Sequence, residues 1–128
     1  MKNFIILPTY NEKENIVSLI EEIFSILPQM NILVVDDNSP DGTAAAVEEM
    51  KVRYPNLSIL KRPAKNGLDG AYIEAFKKLL KDPDIKSIIM MDADFSHSPK
   101  YLPELLKESE NYDLVIGLVA IFKLNESR

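Results

Sequence analysis

Two carboxylates stand two residues apart at the end of an apolar run. Asp92 and Asp94 follow the apolar segment 88–91, with only Ala93 between them. Residues two apart in an extended strand point to the same side, so a strand ending here would present both carboxylates together. Such oxygen ligands suit Mg2+ or Mn2+, which substrate phosphates and water often complete. We expect a divalent metal at Asp92 and Asp94; the alternative is one helix cap and one solvated loop residue.

A second acidic pair, Asp36 and Asp37, ends the apolar segment 32–35. Adjacent carboxylates repel each other unless a cation or the donor groups of a ligand compensate them. A ring N–H of a nucleobase is one such donor, so Asp37 is a candidate ligand-binding residue and Asp41 a weaker one. The alternative is that the polar segment 36–42 only forms a turn. Ser39-Pro40 predicts a helix start, whose N–H groups would attract an anion.

Other chemistry-bearing groups are few. Lys61, Arg62 and Lys65 form a basic cluster that could meet a diphosphate, although such clusters are usually solvated. His97 is the one histidine, so neither a histidine-based metal centre nor a Ser-His-Asp triad is expected. The chain has no Gly-x-Gly-x-x-Gly after its first apolar run and no P-loop motif, so dinucleotide and P-loop chemistry are not expected.

Alternating short apolar runs and amphipathic stretches predict the elements that position these residues, and the alternation is typical of a parallel α/β sheet. We predict five strands, at 4–7, 32–35, 57–60, 87–91 and 114–116. Four helices are predicted to begin at a capping box of Asn11 and Glu14, at Ser39-Pro40, near Gly70 and at Ser98-Pro99. The carboxyl ends of parallel strands share one edge, where ligands of open α/β sheets bind, and the polar segments all fall there.

Composition limits the partners. The chain has 128 residues, 46% hydrophobic, which suits one globular domain with a real core. Its net charge of −5 argues against nucleic acid as a partner. It has no cysteine, and its N-terminal apolar run is too short for a signal peptide, so we expect a cytoplasmic protein.

Three segments together resemble family 2 glycosyltransferases, and among them most closely the polyprenol-phosphate (dolichol-phosphate) mannosyltransferases. They are Pro8-Thr9-Tyr10-Asn11-Glu12, the segment 34–43 around Asp36-Asp37-Asn38-Ser39, and Met91-Asp92-Ala93-Asp94-Phe95-Ser96-His97. The order of Gly67-Leu68, Ala71-Tyr72 and the segment 113–117 agrees with that subfamily, so the resemblance covers about residues 3–117.

The resemblance implies a GT-A fold, an α/β, Rossmann-like three-layer sandwich with a mostly parallel central sheet. It implies a metal-dependent, inverting transfer of a sugar from a nucleotide-sugar donor, GDP-mannose being favoured and UDP-glucose possible, to a polyprenyl or dolichyl phosphate. The resemblance implies that the nucleotide-sugar donor is bound by Pro8, Tyr10, Glu12, Asp37, Lys65 and Asp92. Metal ligation would fall to Asp92, Asp94 and Ser96, with Asp94 the catalytic residue.

The sequence departs from this pattern after residue 117. We divide the chain into a nucleotide-sugar-binding core, 1–117, and an atypical C-terminal tail, 118–128, without the arginines that relatives use on phosphates. A noncatalytic nucleotide-sugar-binding module is therefore the main alternative, and a phosphoacceptor receiver domain a remote one. An unpaired strand edge could favour a homo-oligomer, and a lipid-phosphate acceptor would place the protein at the cytoplasmic face of a membrane.

Overall fold

The computed structural model describes residues 2–63, 67–91, 100, 102–109, 114–116 and 120–123. For residues 67–69, 105, 108–109, 114–116 and 120–123 it describes the backbone alone. The strands are β1 (Lys2–Thr9), β2 (Asn31–Asp36), β3 (Leu57–Lys61), β4 (Ile85–Met90), β5 (Leu114–Ile116) and β6 (Ala120–Lys123). The helices are α1 (Lys13–Ile26), α2 (Thr43–Met50), α3 (Gly67–Leu79) and α4 (Leu102–Ser109).

The described strands form one sheet in the order β3-β2-β1-β4-β6-β5. β1 pairs in parallel with β2 and with β4, and β2 pairs in parallel with β3. β6 runs antiparallel to both of its neighbours, β4 and β5. This mostly parallel α/β sheet confirms the predicted fold class. A receiver domain would need the doubly wound order 2-1-3-4-5, which this sheet does not have.

Helices cover both faces of the sheet, because side chains alternate between faces along each strand. On one face, Ile5, Leu7, Ile32 and Val34 pack with the apolar sides of α1, α2 and α4. On the other face, Ile6, Leu33, Val35 and Ile88 pack against α3 through Ala71, Tyr72, Ala75 and Leu79. The near-continuous apolar composition of the central strands follows from burial on both sides, and the predicted three-layer sandwich is confirmed.

Two sequence-based expectations about the elements were wrong. A sixth strand, β6, forms within 118–128, where no strand was expected, and it lies between β4 and β5 inside the sheet. α1 begins at Lys13 and its cap residue Glu12 makes no side-chain capping bond, so the capping box of Asn11 and Glu14 does not form. The boundary between a core and a tail at residue 117 stays a prediction.

The helix starts after β2 and before α3 also differ from expectation. α2 begins at Thr43 after Gly42 rather than at Ser39-Pro40. α3 begins at Gly67, three residues before the predicted start. The predicted start of the fourth helix at Ser98-Pro99 lies outside the described residues, and the described part of α4 begins at Leu102.

Candidate functional site at the carboxyl edge of the sheet

Three parallel strands end side by side and bring their following loops to one edge. Thr9 ends β1 in register with Asp36, the last residue of β2. The N–H of Asp37 donates to the carbonyl of Thr9 at 3.1 Å, and that of Met91, after β4, donates to the carbonyl of Ile6 at 3.3 Å. The segments after β1, β2 and β4 therefore leave the sheet at one edge, as the strand pattern predicted.

Asp36 is a buried structural carboxylate. It accepts hydrogen bonds from the Thr9 hydroxyl at 2.8 Å, from the Ser39 hydroxyl at 2.6 Å and from the Ser39 N–H at 3.0 Å. These three donors satisfy the carboxylate oxygens from within the chain. The Ser39 N–H is thereby used inside the loop, so the expected anion site at a Ser39 helix start does not form.

Asp37 lies beside a buried arginine of the same chain. Its Oδ1 is 3.3 Å from NH1 of Arg62, and the two side chains are 7% and 3% exposed. Sheet register explains the contact: Asp36 pairs with Lys61, and the Arg62 N–H donates to the Asp36 carbonyl at 2.8 Å, which sets the next residues opposite each other. The protein itself thus supplies a cation beside Asp37, while hydroxyl and N–H donors satisfy Asp36.

The expectation of a solvated basic cluster was therefore wrong for Arg62 and right for its neighbour. Lys61 is exposed and pairs with Glu48 at 3.5 Å on the surface. Arg62 is buried, and besides Asp37 it contacts Glu74 of α3, with Nε 3.4 Å from Oε1. Lys65 lies outside the described residues. Sequence reasoning named Arg62 as a group that could meet a diphosphate but missed its pairing with Asp37, although the adjacent carboxylates indicated that a cation or donor groups would compensate them.

The loop after β2 caps the helix that follows β1. The backbone N–H groups of Asn11, Glu12 and Lys13 donate to side-chain oxygens of Ser39, Thr43 and Asp41, at 2.9, 3.2 and 3.1 Å respectively. These N–H groups have no partners within their own helix turn, so acceptors from another loop satisfy them. The two loops at the candidate site are consequently held together by three hydrogen bonds.

Asp41 joins two helix starts. Its Oδ2 accepts from the Lys13 N–H of α1, and its Oδ1 accepts from the Thr43 N–H of α2 at 3.0 Å and from the Thr43 hydroxyl. The Thr43 hydroxyl bond is the main cause that lowers the pKa of Asp41 below its ordinary 3.8, and the N–H groups of Lys13 and Thr43 add to it. Asp41 is thus occupied in structure, which weakens its candidacy as a ligand.

The predicted donor-binding residues that the structure describes lie at this edge. Pro8 is buried in β1, Tyr10 is 37% exposed, and Glu12 is half-buried with its Oε2 3.4 Å from the Asn15 amide. They belong to the end of β1 and the segment that follows it, next to the Asp37 N–H, which donates to the Thr9 carbonyl. The arrangement combines an exposed aromatic ring, a carboxylate acceptor and a guanidinium donor, which suits recognition of a polar heterocycle.

The predicted metal residues Asp92, Asp94 and Ser96, and His97 beside them, lie outside the described residues. Within the described part of the chain, no group of three or more His, Cys, Asp and Glu side chains could hold a metal ion. The described helices include none that is both long and apolar enough to span a bilayer. The residues at 92–96 supply two carboxylates and a hydroxyl, a donor set of hard oxygens that fits Mg2+ or Mn2+.

Curated relatives cover nearly all of this chain. It is 41% identical over 118 residues to the undecaprenyl-phosphate mannosyltransferase of Micrococcus luteus. The aligned region covers 91% of this chain and 48% of that protein. It is 39% identical over 118 residues to the polyprenol monophosphomannose synthase of Mycolicibacterium smegmatis, covering 91% of this chain and 44% of that protein. The chain therefore spans less than half the length of these relatives.

Solved structures share the fold. The mannosyltransferase PcManGT of Pyrobaculum calidifontis, in complex with GDP-Man and Mn2+, superposes with a TM-score of 0.77 at 20% identity, over 95% of this chain and 44% of that one. TarS of S. aureus in complex with UDP gives 0.68 at 21% identity, over 89% of this chain and 33% of that one. These likenesses confirm the GT-A fold.

Residues 4–128 match the sequence model of one protein family, glycosyl transferase family 2. The chain belongs to that family.

Proposed function

We propose that this chain is the donor-binding part of a metal-dependent, inverting glycosyltransferase that moves mannose from a nucleotide sugar to a polyprenyl or dolichyl phosphate. Support comes from family membership and from relatives at about 40% identity named as polyprenol-phosphate mannosyltransferases. A solved mannosyltransferase of the same fold holds GDP-Man and Mn2+, which favours GDP-mannose over UDP-glucose as the donor.

The observation that carries the proposal is the buried pair of Asp37 and Arg62 at the carboxyl edge. A carboxylate accepts a ring N–H, and a guanidinium donates to a carbonyl oxygen. Guanine and uracil both present a ring N–H next to a carbonyl oxygen, so the pair is complementary to either base. Tyr10 follows Thr9, whose carbonyl accepts from the Asp37 N–H, and its partly exposed ring would offer a face for stacking.

The diphosphate would lie toward the segment that follows β4. Asp92, Asp94 and Ser96 would hold Mg2+ or Mn2+ there, and Lys65 would contact the diphosphate. The bound ion would supply charge neutralisation for the leaving diphosphate. Met91 donates to the Ile6 carbonyl, so this segment starts beside β1 and near the proposed base pocket.

The acceptor explains why no strong general base is needed. A phosphate monoester has a second pKa of about 6, so its oxygens are already anionic near neutral pH and can attack the sugar carbon directly. Asp94 would act as the catalytic residue by holding the metal at the reacting diphosphate. A lipid-linked acceptor would bring a cytoplasmic protein to the membrane surface.

Calorimetric titration tests the donor site. The chain is titrated with GDP-mannose and with UDP-glucose, each with and without Mn2+. We expect metal-dependent binding of GDP-mannose. Asp92→Asn and Asp94→Asn should abolish the metal dependence, and Asp37→Asn should weaken binding with and without metal, whereas Glu49→Gln, an exposed position on α2, should bind as the parent chain does.

Turnover is measured separately, with polyprenyl phosphate in detergent as the acceptor. Product whose anomeric configuration is opposite to that of the donor would support an inverting transfer. Donor binding without any product would favour the noncatalytic nucleotide-sugar-binding alternative. A folded chain that binds neither donor, with or without Mn2+, would contradict the proposed donor site.

A further inference from the structure

The guanidinium of Arg62 is confined on three sides. NH1 faces Asp37 at 3.3 Å and Nε faces Glu74 at 3.4 Å. On the third side, NH2 would lie only 2.8 Å from a Cβ placed on Gly70, closer than real Cβ atoms approach other atoms. Gly70 therefore provides the space that this guanidinium occupies.

Gly70 and Glu74 act from one face of α3. They are four residues apart in the helix Gly67–Leu79, and residues at that spacing lie above one another on the same side. On this face of α3, Gly70 leaves room for the guanidinium of Arg62, and Glu74 places a negative charge beside it. Glu74 is 49% exposed, whereas Arg62 is 3% exposed, so Glu74 reaches the buried guanidinium from the solvent side.

Two of the three guanidinium nitrogens of Arg62 are buried without a directional bond to the described residues. Nε and NH1 of Arg62 are both buried, and neither makes an aligned hydrogen bond within the part of the chain that the structure describes. The guanidinium is held instead by attraction to two carboxylates and by the shape of its surroundings. Rotation about its side-chain torsions would carry NH1 away from Asp37. Substituting Glu74 or Gly70 should therefore change how the donor of Arg62 and the acceptor of Asp37 are arranged toward a ligand.

We propose that Glu74 is a positioning residue that sets base specificity by holding Arg62 in the orientation that pairs it with Asp37. The inference rests on the proposed function, in which Asp37 and Arg62 contact the base of the donor. Glu74 itself does not touch the base, and Gly70 is its structural complement. Substituting either residue should reduce the ratio of affinities between nucleotides while leaving the free energy of unfolding nearly unchanged.

The orientation of Arg62 can be measured without any ligand. The chain has three arginines, Arg53, Arg62 and Arg128, so a nitrogen-15 spectrum contains three Nε–H signals. Arg62→Lys identifies the signal of Arg62. We expect that signal to shift in Glu74→Gln, because the negative charge next to Nε is lost. In the control Glu49→Gln the signal should be unchanged.

Specificity is measured by titrating GDP, UDP, ADP and CDP into the parent chain, Glu74→Gln, Glu74→Asp and Gly70→Ala. We expect about a tenfold loss of affinity for the preferred nucleotide in Glu74→Gln, little change for the others, and partial recovery in Glu74→Asp. Gly70→Ala should act like Glu74→Gln while leaving the helix intact, since alanine favours a helix more than glycine does.

The outcomes separate the two proposals. If the parent chain binds none of the four nucleotides, the proposed function fails and the specificity role of Glu74 fails with it. If the parent chain discriminates and Glu74→Gln discriminates equally well, or loses affinity uniformly for all four, this inference alone is overturned. An Arg62 Nε–H signal that is the same in the parent chain and in Glu74→Gln would also overturn it.

Discussion

Replacing Asp41 by alanine should lower stability by more than an exposed aspartate normally contributes, because one carboxylate serves two helix starts. Its two oxygens accept from the Lys13 N–H of α1 and from the Thr43 N–H of α2. Losing one helix cap costs about 0.5–2 kcal/mol. Asp41 is exposed, so water replaces part of each bond, and for two caps we expect a loss of about 1–2 kcal/mol.

Urea unfolding at pH 7 measures this loss, with Glu49→Ala on the exposed side of α2 as the control. The control should differ from the parent chain by less than about 0.5 kcal/mol. In a separate thermal unfolding measurement, we expect the melting temperature of Asp41→Ala to fall by roughly 4–8 °C for a chain of this size. A loss within the range of the control would refute the idea that Asp41 joins the two helices.

The same comparison has a pH dependence of known sign. The pKa of Asp41 is lowered in the folded chain from its ordinary 3.8, chiefly by the Thr43 hydroxyl. A lowered pKa means that the carboxylate stabilises the fold above the unfolded pKa, and that this contribution is lost as the pH falls through the folded pKa. The difference between the parent chain and Asp41→Ala should therefore be constant from pH 7 to about pH 5 and shrink below about pH 4.

Three further substitutions test the core, the buried carboxylate and a turn. Leu33→Ala, fully buried on the α3 face, should cost about 2–5 kcal/mol in urea unfolding, whereas Val52→Ala, 90% exposed, should cost almost nothing. Thr9→Val removes the hydroxyl bonded to Asp36 and should cost about 1.5–3 kcal/mol, most of which Thr9→Ser should recover. Gly42→Ala should cost about 1–2 kcal/mol in thermal unfolding, because Gly42 has a φ of +88°, which suits glycine; an unchanged melting temperature would contradict this.

The sequence predicted the parts of the fold that depend on local patterns. Apolar runs located β1 to β5, since strands buried on both faces have that composition. The helix start after β1 was wrong because its N–H groups are satisfied from another segment, by Ser39, Thr43 and Asp41, which no local capping pattern records. The start after β2 was wrong because Ser39 bonds back to Asp36, and Asp41 accepts the Thr43 N–H instead. β6 was missed because its three apolar residues and Lys123 directly continue the apolar run that contains β5, so the pattern does not mark a second strand.

The candidate site was predictable in position but not in its contacts. The strand pattern placed Asp37 at the carboxyl edge of the sheet, because parallel strands end at the same edge. Its partnership with Arg62 depends on the register of β2 with β3, and the contact of Glu74 with Arg62 depends on where α3 packs on the sheet. Neither the register nor the helix placement is contained in the spacing of residues along one segment.

The position of β6 has a consequence for the order in which the sheet is completed. β6 lies between β4 and β5, so among the described strands β5 is joined to the sheet through a strand that follows it in the chain. Whenever residues 120–123 detach from the sheet, the edge of β4 with Ile88, Ile89 and Met90 has unpaired backbone groups. An unpaired apolar edge readily pairs with another chain. Attachment of β6 therefore protects both the link to β5 and the apolar edge of β4.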